Sequence, residues 1–547
     1  MAEPDVDARA STDTAAPAPD DAWWRSGVLY QVYPRSFADT TGDGHGDLQG
    51  VIDHLDHLAW LGVDGIWLNP ITPSPNADWG YDVSDFTAVD PALGDLDLLD
   101  RLVSEAGDRG IRVVLDLVPN HTSDRHPWFV DARSDRAARH RDWYVWADPK
   151  PDGSPPNNWR STFGGPAWTF DAGTGQYYLH NFLAEQPDLN WWNDDVRDAF
   201  DGILRWWFDR GIAGFRIDVA HGLVKDRELR DNPAVTDDDH PWLRSQELRP
   251  VYNMNRDEVH DVYRRWRAIA DAYEPAALLL GETWVLDLEA LMRFYGKGDE
   301  LQLAMNFAFV FAELGPELRA VVAATEAALP AGAWPAWSGS NHDAGRFATR
   351  WCRGDERKMR AAMVILLMLR GTPMLYYGDE IGMTEVQVPR DRLEDPVGIR
   401  GWPNEAGRDG ARTPMQWAGS PDAGFTRPGV EPWLPVGDAA ACNVGDQRRD
   451  PASLLRLCRD LIALRRGRPE LRTGSSSMLE APAAAWVWRR GTDTVVAVNC
   501  SERAVEIAVG PGTILVGTVR DRDGREIDDR LRLDPWEAVV IGLRPEG

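Results

Sequence analysis

Short apolar runs recur along most of the chain, at residues 28–33, 65–68, 111–116, 213–219, 277–282, 303–307, 334–339 and 373–377. Each reads as a short buried strand. Between most of them apolar positions return at helical spacing, as in residues 48–61, 96–109 and 359–369. Eight strand–helix alternations in succession predict an α/β fold, a (β/α)8 barrel over residues 23–120 and 190–473.

Two segments break the rhythm. Residues 121–189 are rich in Trp, Pro, Gly and Asn, with short strand-like pieces such as 176–179. So long a stretch between the third and fourth strands predicts an inserted subdomain, not a structureless loop. From about residue 474 to 547 the pattern becomes alternating strands with turn residues between them, which predicts a C-terminal all-β sandwich. Residues 1–22, rich in Ala, Pro, Asp and Thr, have neither a basic start nor an apolar centre. They read as a disordered tail and not as a signal peptide.

Composition narrows the partners. A net charge of −28 disfavours nucleic acid and anionic membranes and suits a neutral substrate. Four cysteines without paired spacing predict neither a disulfide framework nor a zinc site. No run of apolar residues is long enough to span a bilayer, so the expected compartment is cytoplasmic. Nothing in the sequence fixes the oligomeric state. The 26 tryptophans suit packing and also stacking on sugar faces.

Chemistry concentrates where the strands end. The fourth run closes with Arg216-Ile217-Asp218, and strand alternation puts Arg216 and Asp218 on one face. Charges at the mouth of a buried strand must be paired or used. The third run ends in Asp116-Leu117-Val118-Pro119-Asn120-His121, the fifth in Glu282-Thr283-Trp284, and the seventh is followed by Asn341-His342-Asp343. In a barrel all of these converge on the C-terminal face, where such folds carry their active sites.

These four segments, in this order, resemble the four signature regions of the α-amylase family (glycoside hydrolase family 13), and Gln186-Pro187-Asp188-Leu189-Asn190 resembles the motif of its α-glucosidase/oligo-1,6-glucosidase branch. The resemblance implies that Asp218 is a nucleophile, Glu282 the acid/base and Asp343 a third carboxylate that binds sugar hydroxyls. It implies Arg216 beside Asp218, and His121 and His342 on the same glucose. Cleaving an acetal needs a proton for the leaving oxygen and stabilisation of an oxocarbenium-like carbon, which two facing carboxyl groups supply with retention.

The segments around Asp78 and Tyr81 and around Arg412 resemble those that close the pocket in exo-acting members, which implies an Asp78–Arg412 bridge. Phe163 and Gln186 are further candidates for the pocket wall. The implied activity is an exo-acting retaining α-glucosidase on short oligosaccharides. Val219, directly after the nucleophile, matches relatives that prefer α-1,6 bonds, whereas the loop over residues 395–410 matches α-1,4-acting ones; the longer match favours α-1,4. A transglucosylase, or an isomerase forming trehalose- or sucrose-type sugars, would use the same glucosyl-enzyme. An inactive transporter subunit is disfavoured, because all three acids are kept. Finally, Asp39, Thr41, Asp43, His45 (through its carbonyl) and Asp47 lie on a loop like a shortened EF-hand. The family resemblance implies a structural Ca2+, or Mg2+, there.

Overall fold

The computed structural model describes residues 22–240, 243–244 and 247–544. The tail expected over residues 1–22 lies, except for Ala22, outside the described residues. The first three strands are β1 Leu29–Val32, β2 Gly65–Leu68 and β3 Arg112–Leu117. The inserted segment contributes β4 Trp146–Ala147, β5 Trp168–Asp171 and β6 Gln176–Leu179. The remaining barrel strands are β7 Gly214–Ile217, β8 Leu278–Gly281, β9 Leu303–Ala304, β10 Ala336–Ser338 and β11 Thr372–Tyr376.

These eight barrel strands form one parallel sheet in the order β10-β11-β1-β2-β3-β7-β8-β9, and a parallel bridge between Met305 and Ala336 closes the ring. The expected strand over residues 303–307 is shorter than its apolar pattern suggested. Asn306 turns the chain by capping the helix Phe307–Phe311, its side chain accepting from the Phe309 N–H. The helix expected over 48–61 is likewise two, Leu48–Asp53 and Leu55–Leu61, with His54 between them. The His54 ring bonds back to the Gly50 oxygen and stacks on Trp417 at 3.8 Å.

The insertion is a small antiparallel sheet, β4-β6-β5, tied back to the barrel by bridges His121↔Asp188 and Tyr144↔Leu189. Its anchor is Lys225, whose buried Nζ lies 2.7 Å from Asp188 and 2.6 Å from the Asn120 side chain. The C-terminal strands are β12 Ser476–Met478, β13 Ala485–Arg490, β14 Thr494–Asn499, β15 Val505–Ala508, β16 Gly512–Gly517, β17 Glu526–Ile527, β18 Arg530–Leu533 and β19 Ala538–Leu543. A six-stranded sheet faces the β15-β18 pair, so the expected sandwich is present. Along β14, Val495 and Ala497 face the small sheet while Val496 and Val498 join the barrel core. Arg490, at the end of β13, donates to the Met368 oxygen at the end of the helix Glu356–Met368 and so fixes this layer to the barrel. All four cysteines are free thiols. Among the described residues no helix is long and apolar enough to cross a membrane.

Candidate active site

The strand ladder positions the two principal acids. Past the end of β7, the Asp218 N–H donates to the Leu117 oxygen, and the Glu282 N–H donates to the Ile217 oxygen. Both side chains then meet one guanidinium: Arg216 Nη1 is 2.7 Å from Asp218 Oδ1, and Nη2 is 2.7 Å from Glu282 Oε1. Nη1 also holds Asp116 at 2.8 Å. Arg216 is wholly enclosed, with its guanidinium over the Trp67 ring at 5.0 Å. Val219 is bent into the left-handed region, φ 45°, a rare conformation for a β-branched residue. That bend aims its N–H at Glu282 Oε2, 2.9 Å away.

A cavity of about 340 Å³ opens over these acids, within the range of small-molecule sites. Asp218, Glu282, Asp343, Asp78, Tyr81 and His121 all line it. One end is sealed by Arg408, whose guanidinium reaches Asp78 (2.7 Å), Asp343 (2.9 Å) and Asp395 (2.7 Å). Asp343 Oδ1 also accepts from Arg412 Nη2 at 3.1 Å. Phe163 completes this wall, its ring 5.1 Å from the Arg408 guanidinium.

Burial pushes the carboxyls of both Asp218 and Glu282 up and Arg216 works against the rise; the charge of Glu282 raises Asp218 further, and that of Asp343 raises Glu282. Two carboxyls so placed hold one proton between them more readily than two exposed ones would. Asp343 moves the other way. Burial would raise it, but the hydrogen bond from His342 and the charges of Arg408 and Arg412 hold it well below the ordinary range. Burial also raises Asp78 to about 6 against the pull of Arg408 and Arg412. Both His121 and His342 are drawn down to about 4 by burial, so they are neutral rings.

The model of the α-amylase catalytic domain matches residues 31–474. The chain belongs to the α-amylase family. A probable α-glucosidase of Rhizobium meliloti is 44% identical over 476 residues, covering 84% of this chain and 86% of that protein. An oligo-1,6-glucosidase of Heyndrickxia coagulans is 36% identical, covering 95% of this chain and 99% of that one. Among solved structures, an α-glucosyl transfer enzyme, XgtA, superposes with a TM-score of 0.89 at 40% identity, covering 95% and 99% of the two chains. This member of the α-amylase family is a glycoside hydrolase.

One expected pairing is corrected. The carboxylate partner of Arg412 is Asp343, and its Nε donates to the His342 oxygen; the bridge to Asp78 is made by Arg408. Arg408 and Arg412 flank the 3-10 turn Asp409–Ala411, which sends one side chain into the cavity and the other beneath it. Gln186, Arg216, His342 and Arg412 stand behind the cavity wall and hold it. Gln186 donates to Asp78 at 3.3 Å, and the His342 Nε2 lies 2.6 Å from the Tyr81 hydroxyl and 3.0 Å from Asp343 Oδ2. Residues without a role in the sequence reading also face the cavity, notably His221, Met254, Phe311 and Arg408. Arg408 had a signal, since it sits in the family-like loop between Asp395 and Arg412; Met254, in a loop, and Phe311, at the end of the helix Phe307–Phe311, belong to no motif.

The Asp39–Asp47 loop is a tight turn held by its own carboxylates. Gly44, sixth in the loop, has φ 91°, as the sharp turn of an EF-hand requires, and every candidate donor is an oxygen. Asp39 accepts from the N–H groups of Gly42 (2.6 Å) and Gly44 (2.9 Å) and from the Thr426 hydroxyl (2.6 Å). Asp47 caps the helix Leu48–Asp53 through the Gly50 N–H at 2.7 Å, and Asp43 accepts from the His45 N–H. Among the described residues no three His, Cys, Asp or Glu side chains converge as metal ligands do. The His45 ring lies between Trp79 and Trp433, next to the pocket wall.

Proposed function

We propose that this glycoside hydrolase is an exo-acting, retaining α-glucosidase that releases glucose from the non-reducing ends of short α-glucosides, with α-1,4 bonds preferred. The observation that carries the reading is the sealed end of the cavity, where Arg408 binds Asp78, Asp343 and Asp395 together. Such a wall admits a chain end and excludes the middle of a polymer. The loop that supplies Arg408 and Asp395 is also the one matching α-1,4-acting relatives.

In this reading Glu282 gives its proton to the glycosidic oxygen as the Asp218 carboxylate attacks the anomeric carbon. The leaving sugar departs with that proton, and a β-glucosyl ester forms on Asp218. Water, deprotonated by Glu282, then attacks from the opposite face and frees α-glucose and the Asp218 carboxylate. Asp343, kept ionised by His342, Arg408 and Arg412, takes the ring hydroxyls. The direct test is to follow the anomer of fresh glucose by NMR and to compare initial rates on maltose and isomaltose. α-Glucose released faster from maltose is expected. β-Glucose would reject retention, and a faster rate on isomaltose would reverse the linkage preference.

A second reading, transfer of the glucosyl group to another sugar, is favoured by the likeness to the α-glucosyl transfer enzyme. Products formed at high maltose separate the two: glucose alone means hydrolysis, and new oligosaccharides mean transfer. A structural calcium in the Asp39–Asp47 loop belongs to the same proposal. It is supported by the all-oxygen donors and the Gly44 turn, and takes no part in the reaction steps.

A further inference from the structure

His221 lies three residues beyond Asp218 and lines the same cavity as both acids. Its Nδ1 faces the Glu282 carbonyl oxygen at 3.4 Å, and its own carbonyl accepts from the Asn255 N–H at 2.6 Å. A carbonyl cannot donate, so the ring proton sits on Nδ1 and Nε2 keeps a lone pair. Burial draws the ring down to about 4, leaving it neutral at pH 7. Among the described residues Nε2 has no hydrogen-bond partner, and the ring is not one of the fully enclosed, unpartnered polar groups. The lone pair therefore opens into the cavity.

Its place around the rim says which part of a substrate it meets. The sealed end is built by the loops after β2, β10 and β11, which carry Asp78, Asp343 and Arg408. His221, Met254, Trp284 and Phe311 come from the opposite arc, after β7, β8 and β9. With the glucose to be released lodged against Arg408, the group beyond the scissile bond passes over this second arc. Beyond the two acids Asp218 and Glu282, the side chains of that arc are mostly apolar apart from His221, and Trp284 there is stacked on Phe307 at 4.3 Å and set 5.5 Å from Phe311.

We propose that His221 Nε2 accepts a hydrogen bond from a hydroxyl of the leaving sugar, and from the acceptor sugar when the glucosyl group is transferred. It is thus a specificity residue for the group on the far side of the cleaved bond. The inference rests on the exo-glucosidase reading of the site. A hydroxyl-bearing sugar gains from this acceptor, whereas an aryl group gains only from the apolar wall.

The test compares His221→Ala and His221→Gln with the wild type on maltose and on p-nitrophenyl α-glucoside, with thermal unfolding confirming that each variant folds. For His221→Ala, kcat/KM on maltose is expected to fall about tenfold further than on the aryl glucoside, mostly through KM. Gln, which keeps an acceptor oxygen, is expected to recover part of that difference. Equal losses on both substrates would make His221 a support for Glu282 and overturn the proposal, as would no loss on either. If the wild type cleaves neither substrate, the exo-glucosidase reading itself fails, and that result is read before any variant is made.

Discussion

Arg408 Nη2 stands 2.7 Å from Asp78 Oδ1, joining two residues 330 positions apart across the closed end of the pocket. The same guanidinium touches Asp343 and Asp395, so three carboxylates depend on one planar, multiply donating cation. Lysine, a point charge with a flexible stem, cannot hold all three at once. Arg408→Lys is expected to lower kcat/KM on maltose at least tenfold. Arg408→Ala should add a loss of stability of about 3–5 kcal/mol, because it leaves buried charges unpaired. Steady-state kinetics and denaturant unfolding would check both; wild-type kinetics in Arg408→Lys would refute the role given to this contact.

Asp395 gives a pH signature with a definite sign. Burial would raise its carboxyl, but Arg408 and Arg412 hold it down at about 2. A carboxyl lowered on folding contributes stability above its unfolded pKa and loses that contribution as pH falls through the folded value. The expected contribution is about 2 kcal/mol at neutral pH. The stability gap between wild type and Asp395→Asn should therefore be full above pH 5 and shrink steadily as the solution is acidified from about pH 4 toward 2. A gap that widens on acidification would contradict the charge pairing.

The two principal acids should separate by leaving group. Glu282→Gln is expected to lose roughly 10²–10⁴-fold on maltose but far less on activated aryl glucosides in the glucosylation step, because those leaving groups need little protonation. Asp218→Asn should abolish turnover on both and still bind maltose. Pre-steady-state release of nitrophenol, with calorimetric binding for the Asn variant, distinguishes these patterns. Matching losses on both substrates in Glu282→Gln would remove it as the acid.

Calcium in the Asp39–Asp47 loop is expected to act on stability alone. EDTA should lower Tm by several degrees, calcium should restore it, and kcat measured well below the transition should stay constant. A Tm unmoved by EDTA would mean that the hydrogen bonds to Asp39 and Asp47 hold the loop unaided.

Much of this could be read from the chain because each feature was local. The eight barrel strands announced themselves as short apolar runs, and Asp218, Glu282 and Asp343 lay within a few residues of strand ends, where the barrel forces convergence. Details set by tertiary contacts were hidden. Two arginines four residues apart, Arg408 and Arg412, offered the same chemistry to Asp78, and only the turn between them decides which one faces the cavity. The break at His54 depends on Trp417, a residue far along the chain. His221 carried no signal because a lone histidine after a strand is common, and its importance comes from what it faces.

The six-stranded C-terminal sheet is covered on both sides, by the β15-β18 pair on one and by the barrel on the other, with Arg490 reaching carbonyls at the end of a barrel helix. A sheet so enclosed is no free-standing platform, since the faces of its central strands are spent on packing within the chain. Nor is it a detachable module: severing the chain near Gly474 would strip the cover from Val496, Val498 and Val540 and unseat the helix end beneath them. The two parts are therefore expected to melt in a single transition and to resist exchange as separate cassettes.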